Sequence, residues 1–133
     1  MHSSSAIGGV GQALPALARA EKLGKRAARV GFDWPDASSV ADKVREELDE
    51  LTAALSQGDP RRIQEETGDL LLACASLARH CRTDPEEALR QACRKFEARF
   101  RRVEDAVRVQ GLEWRNRGAA DLDRLWEEAK ALE

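Results

Sequence analysis

The chain has 133 residues, of which 42% are hydrophobic and 35% are charged, and this size and composition suit one compact globular domain. Its 22 basic and 24 acidic residues give a formal net charge of -2, so no basic surplus indicates a nucleic-acid polymer or an anionic membrane as a partner. No apolar run approaches the roughly 20 residues that cross a bilayer, and no signal-peptide pattern is found, which predicts a cytoplasmic protein.

The N-terminal part of the chain begins with a segment that has no helical period. Residues 1–12 are rich in Ser and Gly, so we expect a flexible lead-in followed by a single domain over residues 13–133. A first helix is predicted from about Leu14 to Val30 and ends at Gly31. The next four residues, Phe32-Asp33-Trp34-Pro35, are predicted to form a turn that carries two aromatic side chains.

Two amphipathic helices are predicted next. The second helix is expected to begin after Ser38 or Ser39 and to end at Gly58, because its apolar residues recur with the 3.6-residue helical period. These residues are Val40, Val44, Leu48, Leu51 and Leu55. The third helix is predicted from Pro60, with Asp59 as its N-cap, to about His80. Its stretch from Leu70 to Ala75 is apolar on every side, which predicts that it is buried all round.

The C-terminal part repeats the pattern of an N-cap followed by proline. In Asp84-Pro85-Glu86-Glu87, Glu87 stands three residues after Asp84, as in a capping box. The apolar stripe of this fourth helix is Leu89, Cys93, Phe96, Phe100, Val103 and Val107. A short closing helix is predicted around Leu122–Ala129. No segment alternates like a strand, so the predicted fold class is all-α: an antiparallel bundle of four main helices plus a short C-terminal helix.

Acidic residues are concentrated in two motifs, Glu46-Glu47-Leu48-Asp49-Glu50 in the second helix and Glu65-Glu66-Thr67-Gly68-Asp69 in the third. In each helix one pair of acids three residues apart, Glu47 with Glu50 and Glu66 with Asp69, projects from the same flank of the apolar face, at the boundary of core and solvent. In an antiparallel hairpin these four carboxylates converge, and a divalent cation would offset their repulsion. All-oxygen ligands favour Mg²⁺, or Mn²⁺ as a substitute, over iron or zinc.

The alternative interpretation of these acids is a solvated helix face, which is common in a highly charged chain. Asp69 argues against it, because it directly precedes the apolar stretch that is expected to be buried. Basic residues on helix four raise the same choice: Lys95 and Arg99 lie four residues apart on one flank, either as ordinary surface charges or as contacts to a metal-bound polyphosphate. Trp126 is either a core residue or a stacking surface for a nucleobase.

Four elements resemble one family in order and spacing. Glu46-Glu47-x-x-Glu50, fifteen intervening residues and Glu66-x-x-Asp69 resemble the EExxE…ExxD signature of MazG-type nucleoside triphosphate pyrophosphohydrolases, all-α enzymes related to dimeric dUTPases. The segments Lys25–Trp34, Lys95-Phe96-x-x-Arg99 and Leu125–Ala129 resemble the C-terminal catalytic domain of two-domain MazG proteins. The likeness covers about Leu14 to Ala131.

The resemblance implies hydrolysis of a nucleoside triphosphate between its α and β phosphates, giving the monophosphate and pyrophosphate. It implies Mg²⁺ held by four acids, which are Glu47, Glu50, Glu66 and Asp69. It further implies triphosphate contacts from Lys95 and Arg99, a nucleotide contact from Trp126, and an assisting or general-base role for Glu46. Members of the family usually form homodimers, and we expect the same of this chain.

Two alternatives stay open at this point. One is a non-catalytic helical module that binds nucleotides or other proteins, and the other is a narrow-specificity dNTP pyrophosphatase of the dUTPase or dCTPase type. The base pocket depends on loops and partner-chain residues, which no local motif reports. Cys93 stands where the family usually has Asn, two residues before the helix-four Lys. Substrate preference is therefore the property in which this chain is most expected to differ from the family.

Overall fold

The computed structural model describes residues 5–115 and 118–133. They form the helices α1 (Ala16–Arg29), α2 (Ala37–Gln57), α3 (Pro60–His80), α4 (Pro85–Val109) and α5 (Ala119–Ala131). No strand occurs within the described residues, so the predicted all-α class is confirmed. None of the described helices combines the length and the hydropathy that a membrane span requires.

The helix ends follow from local sequence. Gly31 takes a φ of 91° after α1, and the amides of Gly31 and Phe32 donate to the carbonyls of Ala28 and Ala27, which is the Schellman pattern. Helix α2 begins at Ala37, earlier than predicted, because the Asp36 carboxylate accepts the Ser39 amide at 2.8 Å and so caps the helix.

The two predicted proline starts are confirmed. The Asp59 carboxylate accepts the Arg61 amide at 3.0 Å, just before Pro60 opens α3. The Asp84 carboxylate accepts the amides of Glu86 and Glu87 at 3.0 and 3.4 Å, just before α4. In both cases an acid satisfies amides that the first turn of a helix leaves without partners.

The chain divides into two compact units, Met1–Ala88 and Leu89–Glu133. In the first unit, α2 and α3 pack against each other as an antiparallel hairpin joined by Gly58 and Asp59, and α1 packs against α3. In the second unit, α5 packs against the C-terminal half of α4. The core of this second unit is Val103, Val107, Leu125 and Ala129.

Burial within α2 and α3 departs from the prediction. The buried residues of α2 are Val40, Glu47 and Ala54, whereas Leu48 and Leu55 are exposed. In α3, Ala73 and Ala75 are buried but Leu71 and Leu72 are exposed. The prediction that this stretch is buried all round was therefore wrong. The small alanines are buried, whereas the bulky Leu71 and Leu72 are about half exposed.

Candidate functional site

Three of the four predicted metal ligands lie together in the hairpin. Glu47 of α2 and Glu66 and Asp69 of α3 each offer a carboxylate oxygen, and these oxygens all lie within 4.8 Å of one another. The spacing of three residues between Glu66 and Asp69 puts both side chains on one face of α3, opposite Glu47. The sequence thus identified residues that the packing of α2 on α3 brings together.

The burial of these acids differs from the expectation. Glu47 is only 7% exposed and occupies a core position between Val40 and Ala54, instead of the boundary that was predicted. The Glu66 side chain is 13% exposed. Asp69 is exposed, so the argument that placed it beside a buried stretch was wrong, because Leu71 and Leu72 face outward. The buried negative charge of the cluster therefore resides on the two glutamates.

Each buried glutamate has one oxygen near a cation and one oxygen without a partner. Glu47 Oε1 lies 3.1 Å from Lys43 Nζ, and Glu66 Oε1 lies 3.7 Å from Arg62 Nη2. Among the described residues, Glu47 Oε2 and Glu66 Oε2 are buried and accept no hydrogen bond. A buried carboxylate oxygen without a donor is costly, and a bound cation would remove that cost. The donor set, all carboxylate oxygen, fits a hard divalent ion.

Glu50 lies against the same cluster. Its pKa is raised above the ordinary glutamate value, chiefly by the negative charge of Glu47, then by loss of hydration and by the charge and hydrogen bonding of Glu66. The fourth predicted ligand therefore interacts with two of the other three. Repulsion of this kind is what a cation bound among the four carboxylates would relieve.

Glu46 stands at the solvent side of this cluster. Its side chain is 59% exposed, and its Oε1 lies 3.4 Å from the Lys43 ammonium, which also contacts Glu47. The charge of Glu46 contributes to the raised pKa of Glu50. Glu46 is therefore close to the ligands without belonging to the group of three oxygens that lie within 4.8 Å of each other.

The predicted substrate-binding residues lie in the second unit, around a carboxylate. Arg99 holds the Glu133 side chain through two contacts, one of them from Nη2 to Oε2 at 3.0 Å. The Arg99 guanidinium lies 5.5 Å from the centroid of the half-buried Trp126 ring. Arg99, Arg102 and Lys95 together lower the pKa of Glu133, with the Arg99 hydrogen bond as the largest cause. These cations thus form a surface that already binds one anionic group.

A cavity of about 290 Å³ opens beside the acid cluster in the first unit. The charged residues Lys43, Glu47 and Asp69 lie on one side of this cavity, and its remaining wall is largely apolar. Other lining residues include Ala20, Leu23, Gly24, Ala27, Phe32, Trp34, Leu72, Ala73, Ser76 and Arg79. Sequence reasoning gave no ligand role to the aromatic turn between α1 and α2 or to Lys43. Two aromatics in one interhelix turn, and a lysine four residues before Glu47, were the available signals.

Comparison with known proteins shows the family of the chain. The family model of the MazG nucleotide pyrophosphohydrolase domain matches residues 36–103, which include all five acids singled out above. The chain is 43% identical over 127 residues to the nucleoside triphosphate pyrophosphohydrolase/pyrophosphatase MazG of Thermotoga maritima, covering 96% of this chain and 49% of that protein. It is 44% identical over 131 residues to the nucleoside triphosphate pyrophosphohydrolase of Escherichia coli K12, covering 97% of this chain and 50% of that protein. The chain thus spans about half the length of these curated relatives.

Proposed function

Because the chain belongs to the MazG nucleotide pyrophosphohydrolase family, we propose that it hydrolyses nucleoside triphosphates to the monophosphate and pyrophosphate. The observation that carries this proposal is the pair of buried, partnerless carboxylate oxygens on Glu47 and Glu66. A triphosphate reaches enzymes as a complex with a divalent cation, and this hairpin offers acids that suit such a cation. The names of the two curated relatives support the same reaction.

The proposed cofactor is Mg²⁺, with Mn²⁺ as a substitute. Four carboxylates would hold it, namely those of Glu47, Glu50, Glu66 and Asp69. A divalent cation at this point supplies Lewis-acid polarisation of the phosphate oxygens and offsets their negative charge. Support comes from the orphaned oxygens and from the raised pKa of Glu50, both of which reflect negative charge that nearby cations do not compensate.

The chain's own residues then have distinct tasks. Glu46, exposed and held by Lys43, accepts the proton of the attacking water, whose oxygen forms a new bond to the α phosphorus. The bond from the α phosphorus to the bridging oxygen breaks, and pyrophosphate leaves with that electron pair. Lys95 and Arg99 bind the triphosphate oxygens, Arg99 through its fork and Lys95 as a point charge. No covalent enzyme intermediate is needed.

The nucleoside part of the substrate is proposed to enter the cavity beside the acids. Phe32 and Trp34 on its wall suit a flat aromatic base, while Lys43 and the acidic side meet the phosphates. For Trp126, whose ring centroid lies 5.5 Å from the Arg99 guanidinium, we keep the nucleotide contact that the family resemblance implies. The chain carries no basic surplus that would favour a nucleic-acid polymer, and a small nucleotide is the proposed partner.

A homodimer is also proposed. Three leucines of the α2–α3 hairpin that do not line the cavity are about half exposed in the single chain, namely Leu48, Leu55 and Leu71. A face of this kind is typical of a helical surface that a second copy covers. Sedimentation at micromolar concentration tests it: we expect a dimer mass, and a monomer would contradict the proposal.

The test of function is a panel of NTPs and dNTPs incubated with the protein, with Mg²⁺ or with EDTA, followed by ion-exchange separation of the products. We expect monophosphate and pyrophosphate only with Mg²⁺. Diphosphate and orthophosphate would show that the wrong bond was assigned. Turnover of one dNTP alone would indicate the narrow-specificity enzyme, and no turnover at all would favour a non-catalytic binding module.

A further inference from the structure

The turn between α1 and α2 forms one wall of the cavity, and one cavity-lining residue of α3, Arg79, pairs with it. Phe32 and Trp34 line the cavity, and both are exposed, with 77% and 40% of their surface accessible. Such side chains are not held by burial alone. Between them stands Asp33, which does not line the cavity itself but pairs with Arg79, which does.

Asp33 ties this turn to the C-terminal end of α3. Its two carboxylate oxygens accept hydrogen bonds from the two terminal nitrogens of the Arg79 guanidinium, from Nη1 to Oδ2 at 3.0 Å and from Nη2 to Oδ1 at 2.8 Å. His80 Nε2 lies 2.8 Å from Asp33 Oδ1, and the Trp34 amide donates to the same oxygen at 2.9 Å. A bidentate arginine pair fixes orientation as well as distance, so the backbone of Trp34 is held against α3.

We call the contact of Asp33 with Arg79 and His80 the clamp, and its two α3 side chains are themselves packed. The side chains of Arg79 and His80 are only 11% and 10% exposed. Arg79 crosses α1 at Gly24, where an added Cβ would lie 2.9 Å from Arg79 Nε. A residue with a side chain at position 24 would therefore push Arg79 from its place. The clamp thus joins α1, the aromatic turn and α3 around the cavity.

We infer that Asp33 is a positioning residue that, through its pair with Arg79, holds Trp34 in the cavity wall and thereby sets the discrimination among nucleobases. This inference rests on the proposed function, because it assigns the cavity to the nucleoside. Asp33 acts through Trp34 and contacts no substrate. It follows that removing the clamp matters only while Trp34 is present.

The test is a double-mutant cycle of Asp33→Asn and Trp34→Ala. For Asp33→Asn we expect KM for nucleoside triphosphates to rise about tenfold, with kcat changed less than about threefold. The ratio of kcat/KM between purine and pyrimidine triphosphates should also change. In the Trp34→Ala background the same Asp33 substitution should have little further effect on KM or base selectivity, because the side chain that Asp33 positions is absent. Asp42→Asn, which breaks an exposed pair with Arg45 at 2.8 Å, is the matched control and should leave KM and selectivity unchanged.

The outcomes separate this inference from the proposed function. Additive effects of the two substitutions, or an Asp33→Asn variant with unchanged KM and selectivity, would overturn the positioning role while hydrolysis by the wild type stands. A purely structural role for Asp33 would lower kcat/KM equally for all bases. If the wild type binds nucleotides without turnover, the cycle is run on the dissociation constants from calorimetry. A wild type that binds no nucleotide would overturn both claims.

Discussion

A cluster of acids and a single aspartate contact different parts of α3 and have opposite surroundings. Toward the N-terminal end, Glu66 and Asp69 face Glu47, and two buried carboxylate oxygens accept no hydrogen bond within the described residues. At the C-terminal end, both oxygens of Asp33 are bound by Arg79, one of them also by His80. The cluster is only partly compensated by Lys43 and Arg62, whereas Asp33 is fully paired.

The pKa values follow the same division. The Arg79 guanidinium, by its hydrogen bonds, holds the pKa of Asp33 well below its usual range. The neighbouring charge of Glu47 instead raises the pKa of Glu50. A paired acid stabilises the fold, whereas crowded acids destabilise it until a cation binds. The surroundings thus distinguish Asp33, which stabilises the fold, from the clustered acids, which are suited to bind a cation.

Substitution of Glu47 in the acid cluster should lower activity more than any other change considered below. Glu47→Gln keeps the shape of the side chain and removes its charge, so metal binding should weaken and kcat/KM should fall by about 100-fold or more. Circular dichroism should stay that of a folded helical protein. Asp49→Asn, an exposed acid of the same helix, is the control and should keep activity within about twofold. Equal activities of the two variants would remove Glu47 from the site.

Arg99 is expected to have the next largest effect. Arg99→Ala removes the fork that now holds the Glu133 carboxylate, and KM for the triphosphate should rise roughly 10- to 100-fold. Arg101, whose side chain is 71% exposed and pairs with Glu97 on the same helix, supplies the control Arg101→Ala. Steady-state kinetics of both variants test whether Arg99 binds the triphosphate. Unchanged kinetics in Arg99→Ala would show that this arginine is an ordinary surface charge.

The paired acid should affect stability more than its exposed counterpart. Asp33→Asn should lower the free energy of unfolding at pH 7 by about 1–3 kcal/mol, against less than about 0.5 kcal/mol for Asp42→Asn. Because the folded state depresses the pKa of Asp33, its contribution is complete above the ordinary aspartate range and is lost as the pH falls below about 4. Urea unfolding at pH 7 and pH 3 measures this, and a pH-independent difference would contradict the pairing.

The smallest effect concerns Glu50 without metal. Its raised pKa means that the folded state loses stability as the pH rises through that pKa, so Glu50→Gln should raise the Tm of the metal-free protein at pH 7. At a pH below the ordinary glutamate range the two proteins should melt alike. Added Mg²⁺ should raise the Tm of the wild type more than that of Glu50→Gln. A lower Tm for the metal-free variant at pH 7 would argue against crowding of the acids.

The sequence sufficed for features that depend on neighbours in the chain. Helix ends were predicted within a few residues, since caps such as Asp59 and Asp84 act on amides two or three positions away. The acidic motifs were identified because their spacing places them on single helix faces. The early start of α2 was missed because the Asp36 cap was overlooked.

Features that depend on packing were harder to predict. The predicted apolar stripe of α2 correctly included Val40, which is buried, but it also included Leu48 and Leu55, which are exposed. The other buried residues of α2, Glu47 and Ala54, were outside the stripe. Burial of Glu47 could not follow from a rule that buries leucine first. The contact between Asp33 and Arg79 joins residues 46 positions apart, and no local pattern reports such a pair.

A Mn²⁺ titration of the wild type and of Glu47→Gln without nucleotide tests most directly whether the acids of the hairpin bind a divalent cation. The electron paramagnetic resonance signal of free Mn²⁺ reports the uptake. We expect the wild type to take up Mn²⁺, Mg²⁺ to compete for the same site, and the variant to bind at least about 100-fold more weakly. Equal uptake by the two proteins, or none by the wild type, would contradict a metal site built on the buried acids of the hairpin.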